Sequence, residues 1–291
     1  MGNSDQTDIS TVNSWRQLKE TFPISEDAHY FDFKTSNGSN AHLVVVNAKS
    51  KHIRFRPIVN KPTAPTSPQA GLTQSLAAVN GGYFNLNNGE STSYVVLDSI
   101  VECDPHGNPA LMTNPKLHQY LDKILNRTEV RFCRLKNDKT QIQICAHNEP
   151  LAPDVERYDA LQAGPRLLPE LTDRQEAFVR REPDGKEIDS IGAHMLAART
   201  AFGTTPDGYA LILCIAGSKQ EEFSTGASLA DVAMLLKSLG CDEAMNFDGG
   251  TSTTMVISAP NPNGSPAYKM VCGREPETRV KSILAVEPIG K

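Results

Sequence analysis

The chain has 291 residues, 39% hydrophobic and 22% charged, with a formal net charge of -5, which is the composition of a globular protein long enough to bury a substantial core. The acidic balance argues against an electrostatic nucleic-acid binder, which would carry a basic stripe, and no run approaches the roughly eighteen apolar residues of a membrane span. A few arginines could still hold an anionic substrate locally.

The first dozen residues are polar and are expected to fray. They lack the apolar stretch of a signal peptide, so the chain reads either as cytoplasmic or as lacking its leader. Strands are expected at 30–34, 41–48 and 52–59, the last alternating with Ile53, Phe55 and Val59 on one face and His52, Arg54 and Arg56 on the other. Residues 61–69, with three prolines and two threonines, read as a loop. A buried strand at 76–79 then ends at Asn80-Gly81-Gly82.

Residues 114–126 carry the signals of a helix. Asn114 can cap it, Pro115 suits its first turn, and Leu117, Tyr120, Leu121, Ile124 and Leu125 share a face. A hairpin is expected from 129–135 and 141–146, and the charged stretch 180–189 reads as a surface excursion. A strand at 200–204 leads through the turn Pro206-Asp207-Gly208 into an apolar strand at 209–216. Ser228 and Asp231 form a capping pair for a helix that carries Leu229, Val232, Ala233, Leu236 and Leu239 and ends at Gly240. Strands at 244–247, 253–257 and 281–286 close the chain. Strands outnumber helices and short turns join several of them, so the expected class is α+β, with a mixed, largely antiparallel sheet core and packed helices. The N-terminal strands (1–74) are expected to be integral to the fold carried by 75–291.

Six scattered cysteines, with no Cys-x-x-Cys pair, give no zinc motif. Cys133 and Cys145 flank the hairpin turn and could bridge, while Cys214 reads as a small core residue.

Three segments could carry chemistry. Asn80-Gly81-Gly82-Tyr83-Phe84 follows an apolar strand, and its glycines could bring backbone amides against an anion or simply form a tight turn. Asn246-Phe247-Asp248-Gly249-Gly250-Thr251-Ser252-Thr253 places an amide and a carboxylate on one strand face before a hydroxyl-rich turn. Asp248 could serve as nucleophile or base, or this could be a plain Asp-Gly hairpin. Asn246 and Asp248 could also ligate calcium, though two ligands are too few to require it. Arg199, with His194 nearby, could grip a phosphate by bidentate hydrogen bonds, or be an ordinary ion-pair partner. No Gly-x-Ser-x-Gly, His-Glu-x-x-His, phosphate-loop or dinucleotide fingerprint occurs.

Taken in order, Ala78 through Phe84, Ala163-Gly164-Pro165-Arg166-Leu167-Leu168, Arg199-Thr200-Ala201-Phe202-Gly203, the helix at 229–240, Asn246 through Gly250 with Ser252 and Thr253, and Arg279-Val280 resemble the phosphodiester glycosidase family. The resemblance covers about residue 75 onward. Two positions depart from it: Thr251 stands where the family usually has a third glycine, and Ala216-Gly217-Ser218 stands where Asp-Gly-Arg is usual.

The resemblance implies hydrolysis of a sugar-1-phosphodiester, such as an α-N-acetylglucosamine-1-phosphodiester, on the sugar side of the bridging oxygen. It implies Asp248, Arg199 and Asn80 as catalytic residues converging in one cleft. Gly81, Gly82, Tyr83, Gly164, Asn246, Gly249, Gly250, Ser252 and Thr253 would bind substrate, with Arg199 and the Gly81-Gly82 amides on the phosphate. No cofactor is expected to be required. The implied partner is a phosphosugar or phosphodiester-linked glycan, and the implied location periplasmic or secreted, with the cytoplasm still open. Two competing readings are a metal-assisted phosphodiesterase and a non-catalytic carbohydrate-binding protein.

Overall fold

The computed structural model describes residues 9–182, 184–259 and 267–289. Its strands form three main antiparallel sheets. The first has seven strands in the order Phe22–Ser25, Ala28–Lys34, Asn40–Asn47, Tyr209–Ile215, Arg199–Thr204, Glu243–Asn246 and Arg166–Leu168. The second has five, in the order Ala267–Cys272, Met255–Ala259, Ala77–Asn80, Val280–Pro288 and Ile53–Ala64. The third also has five, in the order Ile100–Cys103, Val95–Leu97, Val155–Gln162, Thr128–Leu135 and Thr140–Ala146.

One apolar core joins all three. At its centre each sheet supplies one phenylalanine. Phe55 and Phe132 stack at 5.1 Å, and Phe202 meets them edge-on at 5.8 and 5.9 Å, the arrangement that ring quadrupoles favour. The other face of the first sheet is covered by helix Leu229–Ser238 and by the N-terminal segment, including Ile9 and Val12. Residues 1–8 of the polar N-terminus lie outside the described residues, but Ile9–Thr11 form a 3-10 turn and Ile9 is buried rather than frayed.

The expected strands are present with small changes of boundary, and every strand pairing among the described residues is antiparallel. Helices are few, so the fold is more sheet-dominated than the expected α+β arrangement. Among the described residues no helix is long and apolar enough to cross a membrane.

Four local expectations are corrected. The proline-rich stretch 61–69 is not a loop: strand Ile53–Ala64 runs through its start and helix Thr66–Leu72 takes the rest. Prolines are tolerated there because this strand is an edge of the second sheet and donates no second ladder. The helix expected at 114–126 is broken. Asn108 caps Pro109–Met112, and helix resumes only over Leu121–Leu125 after a 3-10 turn. Pro115 disfavours helical backbone at Asn114, which explains the break. The excursion at 180–189 is a small hairpin of Val179–Arg181 and Glu187–Asp189. The six cysteines are all free and buried. Cys133 lies opposite Gln141 and Cys145 opposite Glu129, so the hairpin register separates the two thiols.

The main helix follows its sequence signals. Ser228 Oγ accepts from Asp231 N at 3.2 Å while Asp231 Oδ2 accepts from Ser228 N at 3.0 Å. Leu229, Val232, Ala233 and Leu236 are buried, and Gly240 takes the left-handed φ of +101° that ends it. Ser228→Ala should therefore cost about 1 kcal/mol, read as a lower urea midpoint with unchanged circular dichroism. An unchanged midpoint would mean that the cap contributes nothing.

Candidate active site

Strand Ala77–Asn80 of the second sheet and strand Glu243–Asn246 of the first end side by side, and a buried amide joins them. Asn80 Nδ2 donates to the Asp248 carbonyl at 2.6 Å. Asn80 Oδ1 accepts from Thr200 Oγ1 at 2.7 Å and from Thr254 N at 3.1 Å. Asp248 N donates to the Gly81 carbonyl at 3.0 Å, and Phe247 N to the Thr200 carbonyl at 2.8 Å. The loop bearing Asp248 is thus fixed from three directions.

The Asp248 carboxylate lies deep but keeps part of its surface open to solvent. Oδ1 accepts from Gly249 N at 2.9 Å, and the Ser252 hydroxyl bonds to the same carboxylate. Burial outweighs both hydrogen bonds and raises its pKa from 3.8 to about 6. Such a group is ionised at neutral pH yet basic enough to accept a proton.

Beside it lies a polar knot. Tyr83 Oη donates to the Gly164 carbonyl at 2.9 Å and accepts from Asn246 Nδ2 at 2.8 Å. Burial and the negative charge of Asp248 push the Tyr83 phenol up, so it stays neutral. Asn246 Nδ2 also faces the Gly164 and Phe247 carbonyls. Its Oδ1 is left buried without a partner, as is Thr253 Oγ1. Unpaired buried acceptors cost about 1–3 kcal/mol each, and a ligand donor would relieve that cost.

The sequence reading missed Arg127. Its Cζ sits 3.6 Å above the Phe178 ring, which packs 5.3 Å from the Tyr83 ring. Nε donates to the Glu176 carbonyl at 3.1 Å, while Nη1 and Nη2 have no hydrogen-bond or ion-pair partner among the described residues. Burial pushes this guanidinium down to about 10, so it remains charged at neutral pH. Nothing local in the sequence marks Arg127, because Phe178 and Tyr83, which frame it, lie about fifty residues away on either side.

Several expected roles are corrected. The Arg199 guanidinium does not face a ligand cleft. Nε donates to the Ala227 carbonyl at 2.9 Å, Nη1 to that of Ile191 at 3.1 Å, and Nη2 to those of Gly192 and Met195, the latter at 2.8 Å. It is 2% exposed and ties down the segment before its own strand. The Asn80 side chain is likewise spent on backbone. Asn80 and Asp248 do meet, but Arg199 does not complete a ligand-facing trio.

The amides of Gly81 and Gly82 are also taken, by Ser282 O at 2.8 Å and Ser282 Oγ at 3.2 Å. A Cβ on Gly82 would lie 2.3 Å from the Gln162 carbonyl, so protein rather than ligand makes the close approach there. Gly250 N donates to the Ala198 carbonyl at 2.8 Å. Thr251 keeps an ordinary φ, so its turn needs no third glycine. Ala216 is fully buried, and His194 is exposed. A cleft of about 840 Å³ opens beside Phe84 and Ser91, with Lys61, Arg279 and Lys281 on its wall. Neither Asp248 nor Tyr83 lines it, and the reactive carboxylate marks the site instead. Asp248 belongs to no cluster of three His, Cys, Asp or Glu donors among the described residues.

The sequence profile of the phosphodiester glycosidases matches residues 73–287. The chain belongs to the phosphodiester glycosidase family. The catalytic domain of zebrafish N-acetylglucosamine-1-phosphodiester α-N-acetylglucosaminidase, auto-inhibited by its pro-peptide, is similar in fold. The identity is 17% and the TM-score 0.59, over 95% of this chain and 87% of that one. A hypothetical protein from Synechocystis matches with 17% identity and a TM-score of 0.57, over 90% of this chain and 62% of the other. An inferred exported protein from Burkholderia pseudomallei matches with 13% identity and a TM-score of 0.61, over 90% and 74%. No curated protein sequence matches the chain.

Two outcomes follow from this family member's site. Because the native state holds the Asp248 proton more tightly than the unfolded chain does, stability should fall as pH rises from about 4 to 6. Asp248→Asn removes that cost, so it should be more stable than the parent by about 2 kcal/mol at neutral pH, with the gain vanishing below about pH 4. Urea unfolding at several pH values checks this, and a pH-independent difference would contradict it. Gly164 has φ +84°, and a Cβ there would lie 2.2 Å from Glu176 Oε2. Gly164→Ala should cost about 1–3 kcal/mol, seen as a lowered melting temperature.

Proposed function

We propose that this protein hydrolyses a sugar-1-phosphodiester, such as an α-N-acetylglucosamine-1-phosphodiester, between the anomeric carbon and the bridging oxygen. The reading is carried by one observation, the solvent-reaching Asp248 carboxyl raised to about 6 by burial in a phosphodiester glycosidase fold. A phosphate monoester leaves as a stable anion, so the departing group needs little protonation. One carboxylate can then suffice where ordinary glycosidases use two. Asp248 acts at the sugar side, as nucleophile or as base for water.

The orphaned acceptors Asn246 Oδ1 and Thr253 Oγ1 are suited to sugar hydroxyls or an amide N–H. Arg127 takes the phosphate in place of Arg199, since its Nη groups are free to form charge-assisted bonds. Asn80 and Arg199 are positioning residues, the first for the Asp248 loop and the second for the segment containing Ile191 and Met195. The reaction as written requires no cofactor.

Asp248→Asn should lower kcat by about 10²–10⁴-fold while leaving a folded protein. Arg127→Ala should chiefly raise KM for the phosphodiester, by about tenfold or more. Activity should rise with pH through an apparent pKa of about 6 as Asp248 ionises. A screen of α- and β-linked sugar-1-phosphodiesters in ¹⁸O-water, read by mass spectrometry, tests the bond cleaved. Label in the sugar supports the reading, and label in the phosphate replaces it with phosphorus–oxygen cleavage.

A further inference from the structure

The first and second sheets meet a second time at a cluster that the hydrolytic chemistry does not use. His42 faces the core from strand Asn40–Asn47, Cys272 ends strand Ala267–Cys272, and Glu222 comes from the segment after Tyr209–Ile215. An imidazole nitrogen, a thiol sulfur and a carboxylate oxygen from these three lie within 4.8 Å of one another. His42 and Cys272 are buried, and Glu222 reaches the surface. Cys214 sits beside His42 in the sheet register, and its thiol hydrogen-bonds with that of Cys272.

We propose that His42, Glu222 and Cys272 form a binding site for a zinc-type divalent cation, with Cys214 or water completing the coordination. The donor set mixes nitrogen, sulfur and oxygen, the combination that tetrahedral zinc accepts. Tyr30 Oη lies 2.6 Å from His42 Nδ1. It orients the ring so that Nε2 is turned to Glu222 Oε1, 2.6 Å away, as outer partners of metal-bound imidazoles do.

The electrostatics point the same way. The largest charged influences on Tyr30 and Cys272 are acidic, from Asp32, Glu222 and the neighbouring thiols. No lysine or arginine balances them, and a dication would. Zinc bonds of about 2.0–2.3 Å hold tetrahedral ligands roughly 3.3–3.8 Å apart. Glu222 must therefore swing outward by about one ångström, and it is the member of the trio with one side open. Binding would displace the Cys272 proton and the proton shared by His42 and Glu222, so affinity should rise with pH.

The cation would also brace the site already described. The segment carrying Glu222 includes Gln220, whose Nε2 donates to the Gly250 carbonyl at 2.9 Å, in the turn that follows Asp248.

The test is cobalt(II) titration of the full, reduced, metal-free chain, monitored by absorbance. One equivalent should give a near-ultraviolet thiolate-to-cobalt band that zinc then removes. Cys272→Ser should abolish the band, and Glu222→Gln should weaken cobalt binding by about tenfold or more. No band in the parent protein, or a band of equal strength in Cys272→Ser, overturns the proposal. Should Cys272→Ser fail to fold, Glu222→Gln decides, because its side chain is partly exposed and its loss leaves the core intact. Unchanged cobalt affinity there overturns the proposal equally.

Discussion

The Asn80 side chain is the constraint on which the candidate site depends. It is fully buried and bonded at once to Asp248, Thr200 and Thr254. A primary amide suits this position because it donates and accepts in opposite directions. An unpaired carbonyl in the same place would carry the full cost of desolvation. The bond to the Asp248 carbonyl holds the reactive residue where the strand ends, and water reaches it from one side only. Its raised pKa follows from that placement.

Cations are distributed around this carboxylate in a way that separates support from recognition. Arg199 is saturated by carbonyl oxygens and acts as a structural rivet. Arg127 is braced by an aromatic face and one carbonyl, leaving its outer nitrogens uncommitted. The contrast lies in the partners and not in the residue type. Neither guanidinium contributes to the pKa of Asp248, where burial dominates. The carboxyl therefore stays near neutrality instead of being drawn down by a salt bridge.

Much of the fold was legible in the sequence because it rests on local rules. Apolar runs and alternation located Asn40–Asn47 and Tyr209–Ile215, and the Ser228–Asp231 pair and Gly240 located the main helix. Where local signals conflicted, they misled. Asn114 and Pro115 look like a helix start, yet the earlier cap at Asn108 and the proline itself split the helix. Prolines at 62 and 65 looked like a loop, but an edge strand accommodates the first. Strand Val155–Gln162, half exposed and charged along its first half, gave no period strong enough to find it.

The sequence by itself determined the two paired-glycine turns, the capped helix, and Asp248 as the carboxylate worth watching. These depend on conformational preferences acting over a few residues. Only the tertiary structure decided which side chains face a ligand and which are spent on the scaffold. Residues 80, 127, 164, 199 and 246 exchange hydrogen bonds and ring contacts across more than a hundred positions, and linear spacing carries no information about such partners. The same reason hid the His42, Glu222 and Cys272 cluster. Its members come from two sheets and a connecting segment, and packing alone brings them together.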